Sequence, residues 1–395
     1  MLGITQTITW GIVYYGFTVL LPVLEAEQGW SRGVQSGAFS LAILLSGIGA
    51  APVGRWLDSR GPRVLMTAGS VAATLLLLAL SQVSSLFQFY VVWALLGVTM
   101  SAVLYEPAFA VVTAWFEKKR TRAITSVTLM AGLASTIFMP IESWLIELLG
   151  WRTALVALAG FLALTTIPAH ALLLRRRPED LGLHVDGETP AATSPDAPRP
   201  AAPVKRPPVS VSEALKEPAF RWLAVAFSLA ALVNIAIGVH LVAYLQDRAF
   251  DPTFAATATG MVGAMQVAGR IVLMAFGERV SFRVTAAVVL GIQPISVLVL
   301  LLMPGLAGVW LFIFLFGMMK GALTLMRPAV VVHLYGRERY ATMAGALAAF
   351  VLGATALAPI SAGLAYDALH SYDPLFWAFV VLSAVPAGAV LLARR

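Results

Sequence analysis

Twelve apolar segments run along the chain, and each is about as long as the hydrocarbon core of a bilayer is thick. A membrane-spanning helix needs roughly 20 predominantly apolar residues. Lipid offers the backbone no partners, so a span must be a helix or a strand of a closed barrel, and these segments lack the alternation of barrel strands. We therefore predict an all-α integral membrane protein with twelve transmembrane helices. The segments cover roughly 5–26, 35–57, 64–84, 87–115, 123–147, 152–174, 219–246, 252–276, 284–303, 306–334, 341–366 and 372–393.

Composition excludes a soluble enzyme. Only 12% of the residues are charged, against about 25% in soluble domains. The apolar character of the first span continues without the pattern of a cleaved signal peptide, so we expect this span to be retained. The chain has no cysteine, and its five histidines lack metal-ligand spacing. We expect no cofactor, no metal site and no enzymatic activity.

The basic residues predict how the chain is oriented in the membrane. Lysine and arginine outnumber the acids by 27 to 20, but the excess is spread over short loops, which argues against nucleic-acid binding. The loops after odd-numbered spans carry only Arg32, Arg152 and Arg248. By the positive-inside rule, we predict a protein of the cytoplasmic (inner) membrane with both termini in the cytoplasm. The loops after even-numbered spans carry Arg60, Arg63, Lys118, Lys119, Arg120, Arg122, Arg175, Arg176, Arg177, Arg279, Arg283, Arg337 and Arg339.

The spans fall into two halves. We predict a six-helix bundle over 1–174, a cytoplasmic linker over 175–217 and a second six-helix bundle over 218–395. The linker is rich in Ala, Pro, Ser and Asp, and Ser210 and Glu213 at its end have the spacing of a capping box, which predicts a short surface helix. Asp58 to Arg63 after the second span is echoed by Glu278 to Arg283 after the eighth. The halves are thus predicted to be parallel repeats with a substrate site between them near the midplane.

Arg270 is the most informative single residue. It lies inside the eighth span, surrounded by small and apolar residues. An arginine within a span is costly and usually faces a bundle interior or a water-filled cavity. Its planar guanidinium matches a carboxylate. We interpret Arg270 as the group that binds an anionic substrate; the alternative is an arginine that only pairs with a buried acid or with helix-end carbonyls.

Other charged residues within the spans leave alternatives open. Lys320 either adds positive potential to the cavity or pairs with a buried acid, and Arg327 is interpreted as a snorkelling or gate residue. Glu106 and Glu142 could each balance Arg270 or Lys320. Either acid could instead carry a coupled proton, since a low-dielectric environment favours a neutral carboxyl group. Of the two, Glu106 is the better proton candidate, because Glu142 lies nearer the non-cytoplasmic surface.

Several uncharged polar residues are candidates for hydrogen bonds to a small anion. Adjacent helix positions point about 100° apart, so we expect one of Tyr14 and Tyr15 to face away from the cavity. His240 lies close to the end of its span and is expected to anchor a loop. The candidate substrate-binding residues besides Arg270 and Lys320 are Tyr14, Tyr105, Asn234 and Gln266.

The stretch from Gly54 to Arg63 resembles a loop of the major facilitator superfamily. It has the glycine, aspartate, glycine and arginine of the loop between that family's second and third helices. The resemblance implies a two-bundle transporter in which this loop is a cytoplasmic gate that controls the change of conformation. The residues assigned to this cytoplasmic gate are Gly54, Asp58, Arg60, Gly61, Arg63, Glu278, Arg283 and Arg327.

A narrower resemblance is to the monocarboxylate-transporter branch, which includes oxalate/formate exchangers. Trp115 to Ala123 is similar to the aromatic and basic entry to that branch's fifth helix, and Gly150-Trp151-Arg152 is similar to an outer loop. The resemblance implies that Arg270 corresponds to the arginine that binds the substrate carboxylate. Animal lactate carriers have an aspartate one turn before that arginine, and Gln266 stands there in this chain. Proton coupling by their route is therefore not expected.

These observations predict a monomeric secondary transporter for a small organic anion. We expect a monocarboxylate to be moved by alternating access, with a proton as a candidate co-substrate in symport and the lipid bilayer as surroundings. One alternative is a proton-coupled exporter of drugs or other amphipaths that uses Glu106, although the fifth span lacks the glycine-proline-glycine signature of such antiporters. Another alternative is a membrane sensor that binds the anion without moving it, which the short loops disfavour.

Overall fold

A computed structural model describes residues 1–187, 211–276 and 282–392. Within these ranges twelve helices are long and apolar enough to cross a membrane, so the prediction of an all-α protein with twelve spans is confirmed. In chain order, α1 to α12 are Leu2–Gln28, Arg32–Arg60, Pro62–Ser81, Leu86–Trp115, Arg120–Leu149, Trp151–Leu173, Pro218–Asp247, Pro252–Ala275, Val284–Leu302, Leu306–Gly336, Thr342–Leu369 and Asp373–Val390.

The outer surface of the helices is apolar. Leu164 and Phe87 are about four-fifths exposed, at 80% and 79%. Such exposure of large apolar side chains would be costly in water but matches the hydrocarbon of a bilayer. Several polar side chains inside the spans, such as Gln6, Gln35 and Gln293, are instead fully buried.

Two helix pairs join the first six helices to the last six. Helix α2 packs against α11, where Gly363 lets the backbone of α11 approach the carbonyl group of Arg32. Helix α5 packs against α8, where a Cβ atom on Gly260 would lie 2.6 Å from the carbonyl oxygen of Ser135. Small residues permit this close approach of helices in lipid. Counted along the chain, α8 and α11 are the second and fifth helices of the last six, so each contact joins a second helix to a fifth helix.

Four helices of the first half depart from a regular α-helix. Helix α6 ends in a π-helical turn over Ala169–Leu173, and α1, α4 and α5 are interrupted within the span. Helix α1 contains a π-helical turn over Trp10–Tyr15. Helix α4 breaks at Leu104, whose backbone is extended, into Leu86–Val103 and Tyr105–Trp115. Helix α5 divides at Leu133 into Arg120–Gly132 and Ala134–Leu149. π-Turns and discontinuous spans free backbone groups and often occur at binding sites.

The connection between the halves is only partly described. Residues 188–210 of the predicted linker lie outside the described residues. Two short 3₁₀ helices, Pro178–Leu181 and Val185–Gly187, follow α6, and a short helix, Val211–Ala214, precedes α7.

Candidate functional site

A cavity of about 370 Å³ lies between the two halves. Its walls come from α1, α2, α4 and α5 of the first half and from α7, α8, α10 and α11 of the second. A volume of this size suits a small-molecule ligand. The predicted residues that line it are Tyr14, Tyr105, Glu106, Gln266, Arg270 and Lys320.

Arg270 is held in the cavity wall by both halves. Its Nη1 atom donates to the carbonyl oxygen of Thr128 on α5 at 2.8 Å, and its Nε atom donates to Oγ1 of Thr324 on α10 at 3.2 Å. The contact with Thr128 is the helix-carbonyl bond that the alternative interpretation of Arg270 expects. Within the described part of the chain, however, no carboxylate pairs with the guanidinium, and its Nη2 atom has no hydrogen-bond partner. Arg270 thus keeps an unused donor and an unpaired charge at the cavity.

The other two charged residues of the cavity are also unpaired. Lys320 and Glu106 both line the cavity, and neither has a hydrogen-bond or ion-pair partner among the described residues. Glu106 shares the cavity with Arg270 and Lys320 but makes no direct ion pair with either of them, so balance of their charges by Glu106 stays a prediction. Two cations and one acid leave a formal charge of +1 when Glu106 is ionised. The cavity electrostatically favours a single anionic group.

Aromatic side chains of α1 and α4 form one wall. The ring of Trp10 packs against Tyr14 and Tyr105, with centroid distances of 4.8 and 4.9 Å. Both Tyr14 and Tyr15 line the cavity, so the expectation that one of them faces away is wrong. Both tyrosines belong to the π-helical turn, whose wider winding changes the angle between successive side chains.

The break in α4 places a helix end at the cavity. Leu104 is extended, and a new helical segment starts at Tyr105 and runs to Trp115. Tyr105 and Glu106 therefore lie in the first turn of this segment, where the helix dipole favours a negative charge. The cavity wall thus combines a helix N-terminus with the cations of α8 and α10.

Two predicted residues lie away from the cavity. Asn234 on α7 is buried, and its Nδ2 atom lies 4.0 Å from the sulfur of Met319. Asn234 is not among the described residues that line the cavity, whereas its neighbour Ile235 is. Glu142 lies in a separate small pocket between α1, α5 and α6. It does not balance Arg270 or Lys320, because that pocket is lined by other residues.

A latch between the halves, consisting of Glu25, Arg32, Asp247 and His240, was not predicted. The guanidinium of Arg32 is buried and donates to both carboxylate oxygens of Asp247 at 2.7 and 2.8 Å and to Glu25 at 2.7 Å. His240 hydrogen-bonds the hydroxyl group of Tyr372 at 2.7 Å and accordingly contacts the segment before α12, as expected for a loop anchor. His240 also lies 3.4 Å from Ser36 of the first half. The latch closes the face formed by the loops after odd-numbered helices, which we call the odd face.

The predicted gate residues lie on the basic face, which is formed by the loops after even-numbered helices. Gly61 alone separates α2 from α3, and its φ of +78° is a conformation that favours glycine. Arg63 donates to the carbonyl oxygen of Ala171 at 2.5 Å, and the carbonyl group of Asp58 accepts from Arg176. These contacts stay within the first half. Gly54, Asp58 and Arg60 lie on the last two turns of α2.

The remaining gate residues are on the second half. Arg327 is half-buried in α10, about two turns from Lys320. Glu278 lies outside the described residues, as does the side chain of Arg283. A gate that joins the two halves at the basic face therefore stays a prediction.

Asp186 attaches the segment after α6 to the loop between α4 and α5. Its carboxylate accepts from the backbone N–H groups of Glu117, Lys118 and Lys119. Desolvation opposes ionisation of Asp186, but these hydrogen bonds prevail and lower its pKa. The start of the linker thus lies against the basic loop.

Known proteins are similar to this chain over both its first and its last six helices. The sequence profile of the Major Facilitator Superfamily matches residues 4–321. Monocarboxylate transporter 13 from Bos taurus is 28% identical over 389 residues, which cover 98% of this chain and 82% of that protein. Monocarboxylate transporter 11 from Mus musculus is 30% identical over 155 residues, 39% of this chain and 34% of that protein. A bacterial homologue of the human lysosomal transporter Spinster, solved in an inward-facing and occupied conformation, superimposes with a TM-score of 0.69 at 16% identity, covering 99% of this chain and 95% of that chain.

Proposed function

This chain belongs to the major facilitator superfamily, and we propose that it is a carrier that moves a small organic anion across the cytoplasmic membrane by alternating access. As a member of this family it is a multi-pass membrane transporter and not an enzyme, as the sequence predicts. The observation that carries the proposal is Arg270, a guanidinium in the wall of the central cavity that has no carboxylate partner among the described residues.

Charge supports an anion as the substrate. A bound carboxylate would occupy the unused Nη2 donor of Arg270 and restore neutrality to a cavity of formal charge +1. A cationic drug would instead meet Arg270 and Lys320 as like charges. Glu106, which has no described partner, is the feature that a cation exporter would use.

Size and similarity favour a monocarboxylate. The cavity of about 370 Å³ suits a small molecule, and the proteins similar to this chain over most of its length include monocarboxylate transporter 13. One cation, Arg270, is fixed by hydrogen bonds to both halves, which suits a ligand with one carboxylate. Tyr105 and Gln266 also line the cavity and bring polar groups to the rest of the ligand, and Lys320 adds positive potential.

The contacts between the halves favour alternating access. The latch on the odd face crosses between halves, and so do the bonds of Ser135 and Thr136 to Gly260 nearer the middle. Transport would require the latch to open while the halves approach each other at the basic face. In this account each half moves as one bundle, a single chain forms the complete path, and the carrier is a monomer.

Removing the latch cation is expected to open the odd face. Ser40, which is two turns below Arg32 on α2 and buried, becomes a reporter when replaced by cysteine, since the chain has no other cysteine. In Ser40→Cys, adding Arg32→Gln should raise the rate of labelling by a maleimide that reaches only the odd face about tenfold, a shift of roughly 1.4 kcal/mol in the opening equilibrium.

The matched control for this experiment is Arg248→Gln. Arg248 pairs with Asp373 at 2.5 Å, but both residues belong to the second half. An equal rate increase in this control, or none in Arg32→Gln, would show that the Arg32 cluster does not hold the halves together.

Orientation is tested with two conservative cysteine variants. Ser59 is exposed on the basic face and Ser84 is exposed in the loop between α3 and α4 on the odd face. With the basic face in the cytoplasm, a membrane-impermeant maleimide added to intact cells should label Ser84→Cys and should label Ser59→Cys only after lysis. The reverse pattern would place the termini outside.

The proposed function itself is tested by binding. A panel of labelled monocarboxylates, dicarboxylates and cationic amphipaths is titrated against the purified protein without any gradient. We expect saturable binding of a monocarboxylate that is competed by other small carboxylates. Binding of a cationic amphipath that depends on Glu106, with no carboxylate bound, would favour the exporter.

A further inference from the structure

Glu142 on α5 is a buried acid without a partner. Its side chain is 2% exposed, and neither carboxyl oxygen has a hydrogen-bond partner in the described part of the chain. The small pocket around it is lined by apolar side chains such as Ile12, Leu20 and Leu158. Gly16 on α1 lies directly over it, since a Cβ atom there would be 3.2 Å from Oε1 of Glu142.

The charged and titratable groups near this pocket are engaged elsewhere. On α6, Arg152 covers the ring of Trp151 at 4.3 Å and donates to the carbonyl groups of Ser81 and Val83. On α5 itself, Glu147 accepts from Thr253 at 2.8 Å. Neither residue lines the pocket of Glu142.

The titratable groups on the other helices packed against this part of α5 also have other partners or line the central cavity. Tyr14 and Tyr15 of α1 line the central cavity, and Arg270 of α8 bonds Thr128 and Thr324. Glu27 at the end of α1 accepts from Nε1 of Trp151 at 2.7 Å, and the Trp151 ring also lines the pocket. An ionised carboxylate in this pocket would have neither a hydrogen bond nor a counter-ion among the described residues, so the neutral acid is strongly favoured.

Helix α1 connects this acid to the substrate cavity. Its π-helical turn presents Tyr14 and Tyr15 to the cavity, and the next residue, Gly16, contacts Glu142. The segment of α1 that begins at this glycine, Gly16–Gln28, packs on α7 of the other half. A movement of the halves that releases α1 from α7 would therefore alter the cover of Glu142 as well as the cavity wall.

We propose that Glu142 is a proton-binding site of the transport cycle. It carries a proton while the latch on the odd face is closed, and it exchanges this proton with solvent when α1 moves. The proposal rests on the proposed function. A proton from solvent on one side adds to the carboxylate and leaves as a solvent proton on the other side, so charge and atoms balance. Glu142 thus supplies a carboxyl group outside the substrate cavity.

The test compares Glu142→Gln with the parent in proteoliposomes that carry an imposed pH gradient, alkaline inside. Electroneutral coupling of one proton to one anion predicts roughly tenfold accumulation per pH unit in the parent. Glutamine has the shape of the protonated acid but cannot release a proton, so accumulation should be lost while anion binding changes by less than about threefold. Glu147→Gln, on the same helix, is the matched control and should accumulate the anion as the parent does.

Infrared spectroscopy shows whether the carboxyl group of Glu142 is protonated, and it needs no substrate. At neutral pH the parent should show the C=O stretching band of a protonated carboxyl group, absent from Glu142→Gln and shifted in Glu142→Asp. If this band is the same in parent and Glu142→Gln, the proposal fails even if no anion is transported. Gradient-driven accumulation by Glu142→Gln at the parent's level, or its loss in Glu106→Gln alone, would also overturn it.

Folding of the variants is a further test of whether the carboxyl group of Glu142 is neutral. The pocket accommodates a neutral acid, so Glu142→Gln should fold. If Glu142→Gln does not fold but Glu142→Asp does, the carboxylate charge is needed and the proposal is wrong. Loss of equilibrium anion binding in Arg270 variants concerns the proposed function alone, so failure of the two ideas is distinguishable.

Discussion

Arg270→Ala is expected to abolish saturable binding of the organic anion at working concentrations. A charge-assisted hydrogen bond contributes about 1.5–3 kcal/mol, which corresponds to a loss of roughly ten- to hundredfold in affinity. Arg270→Lys should keep only a small part of the binding. The three donors of an ammonium group lie on one nitrogen, so lysine lacks the planar spread by which Nε and Nη1 of the guanidinium bond Thr324 and Thr128 while Nη2 stays free for the ligand. Equilibrium binding to the purified variants measures both effects.

The control for this prediction is Thr324→Val. It removes the hydrogen bond to Nε of Arg270 but keeps the charge and the shape of the side chain. We expect a severalfold weaker affinity, because the guanidinium is less well positioned. Arg270→Ala and Thr324→Val should both fold, since no described carboxylate loses its partner when Arg270 is removed. A folded Arg270→Ala that binds a carboxylate as tightly as the parent would make Arg270 a structural residue.

Adding a methyl group at the contact between α8 and α10 is expected to disrupt the cavity wall. A Cβ atom at Gly269 would overlap the carbonyl group of Met318, and one at Gly321 would overlap the carbonyl group of Gln266. These obstacles are backbone atoms, so the helices themselves must separate. Each alanine substitution should destabilise by about 1–3 kcal/mol, and the double variant Gly269→Ala/Gly321→Ala should lose most of its folded protein.

Gly353→Ala on α11 is the matched control for the glycine variants. A Cβ atom there meets nothing within 4 Å, so we expect unchanged or slightly higher stability. Thermal unfolding in detergent gives the comparison. Because Gly269 and Gly321 adjoin Arg270 and Lys320, the single variants should also weaken anion binding. Equal unfolding midpoints in Gly321→Ala and Gly353→Ala would show that α8 and α10 do not pack as described.

The number and approximate ends of the spans are predictable from the sequence. The sequence predicts the second span at roughly 35–57, and the helix runs over Arg32–Arg60. Apolar length determines a span, because lipid excludes unsatisfied backbone groups. Arg270 could be assigned to the cavity for the same reason, since a charge within a span has few other places to lie.

The helix interruptions that shape the cavity are not predictable in this way. Pro107, three residues after Leu104, is a local signal for the break in α4, because proline lacks the N–H group that would bond the carbonyl group of Val103. Trp10–Tyr15 is apolar or aromatic like its surroundings, so no comparable signal marks the π-turn. The regular helix assumed for α1 therefore gave the wrong direction for one of Tyr14 and Tyr15.

The latch also depends on contacts that the sequence does not reveal. Arg32 and Asp247 are 215 residues apart and belong to different halves. In the sequence Arg32 was only one of the few basic residues in the odd-numbered loops. Pairing between halves follows from tertiary packing, so it could not be predicted from spacing along a helix.

The most direct test of the account is uptake of labelled carboxylates into proteoliposomes that contain the parent protein or Arg270→Lys. We expect saturable uptake of a small monocarboxylate by the parent, faster when the vesicles are preloaded with the same unlabelled anion. We expect a loss of about tenfold or more in Arg270→Lys at the same protein density. Parent vesicles that move no carboxylate, or equal uptake by Arg270→Lys, would contradict the central role of Arg270.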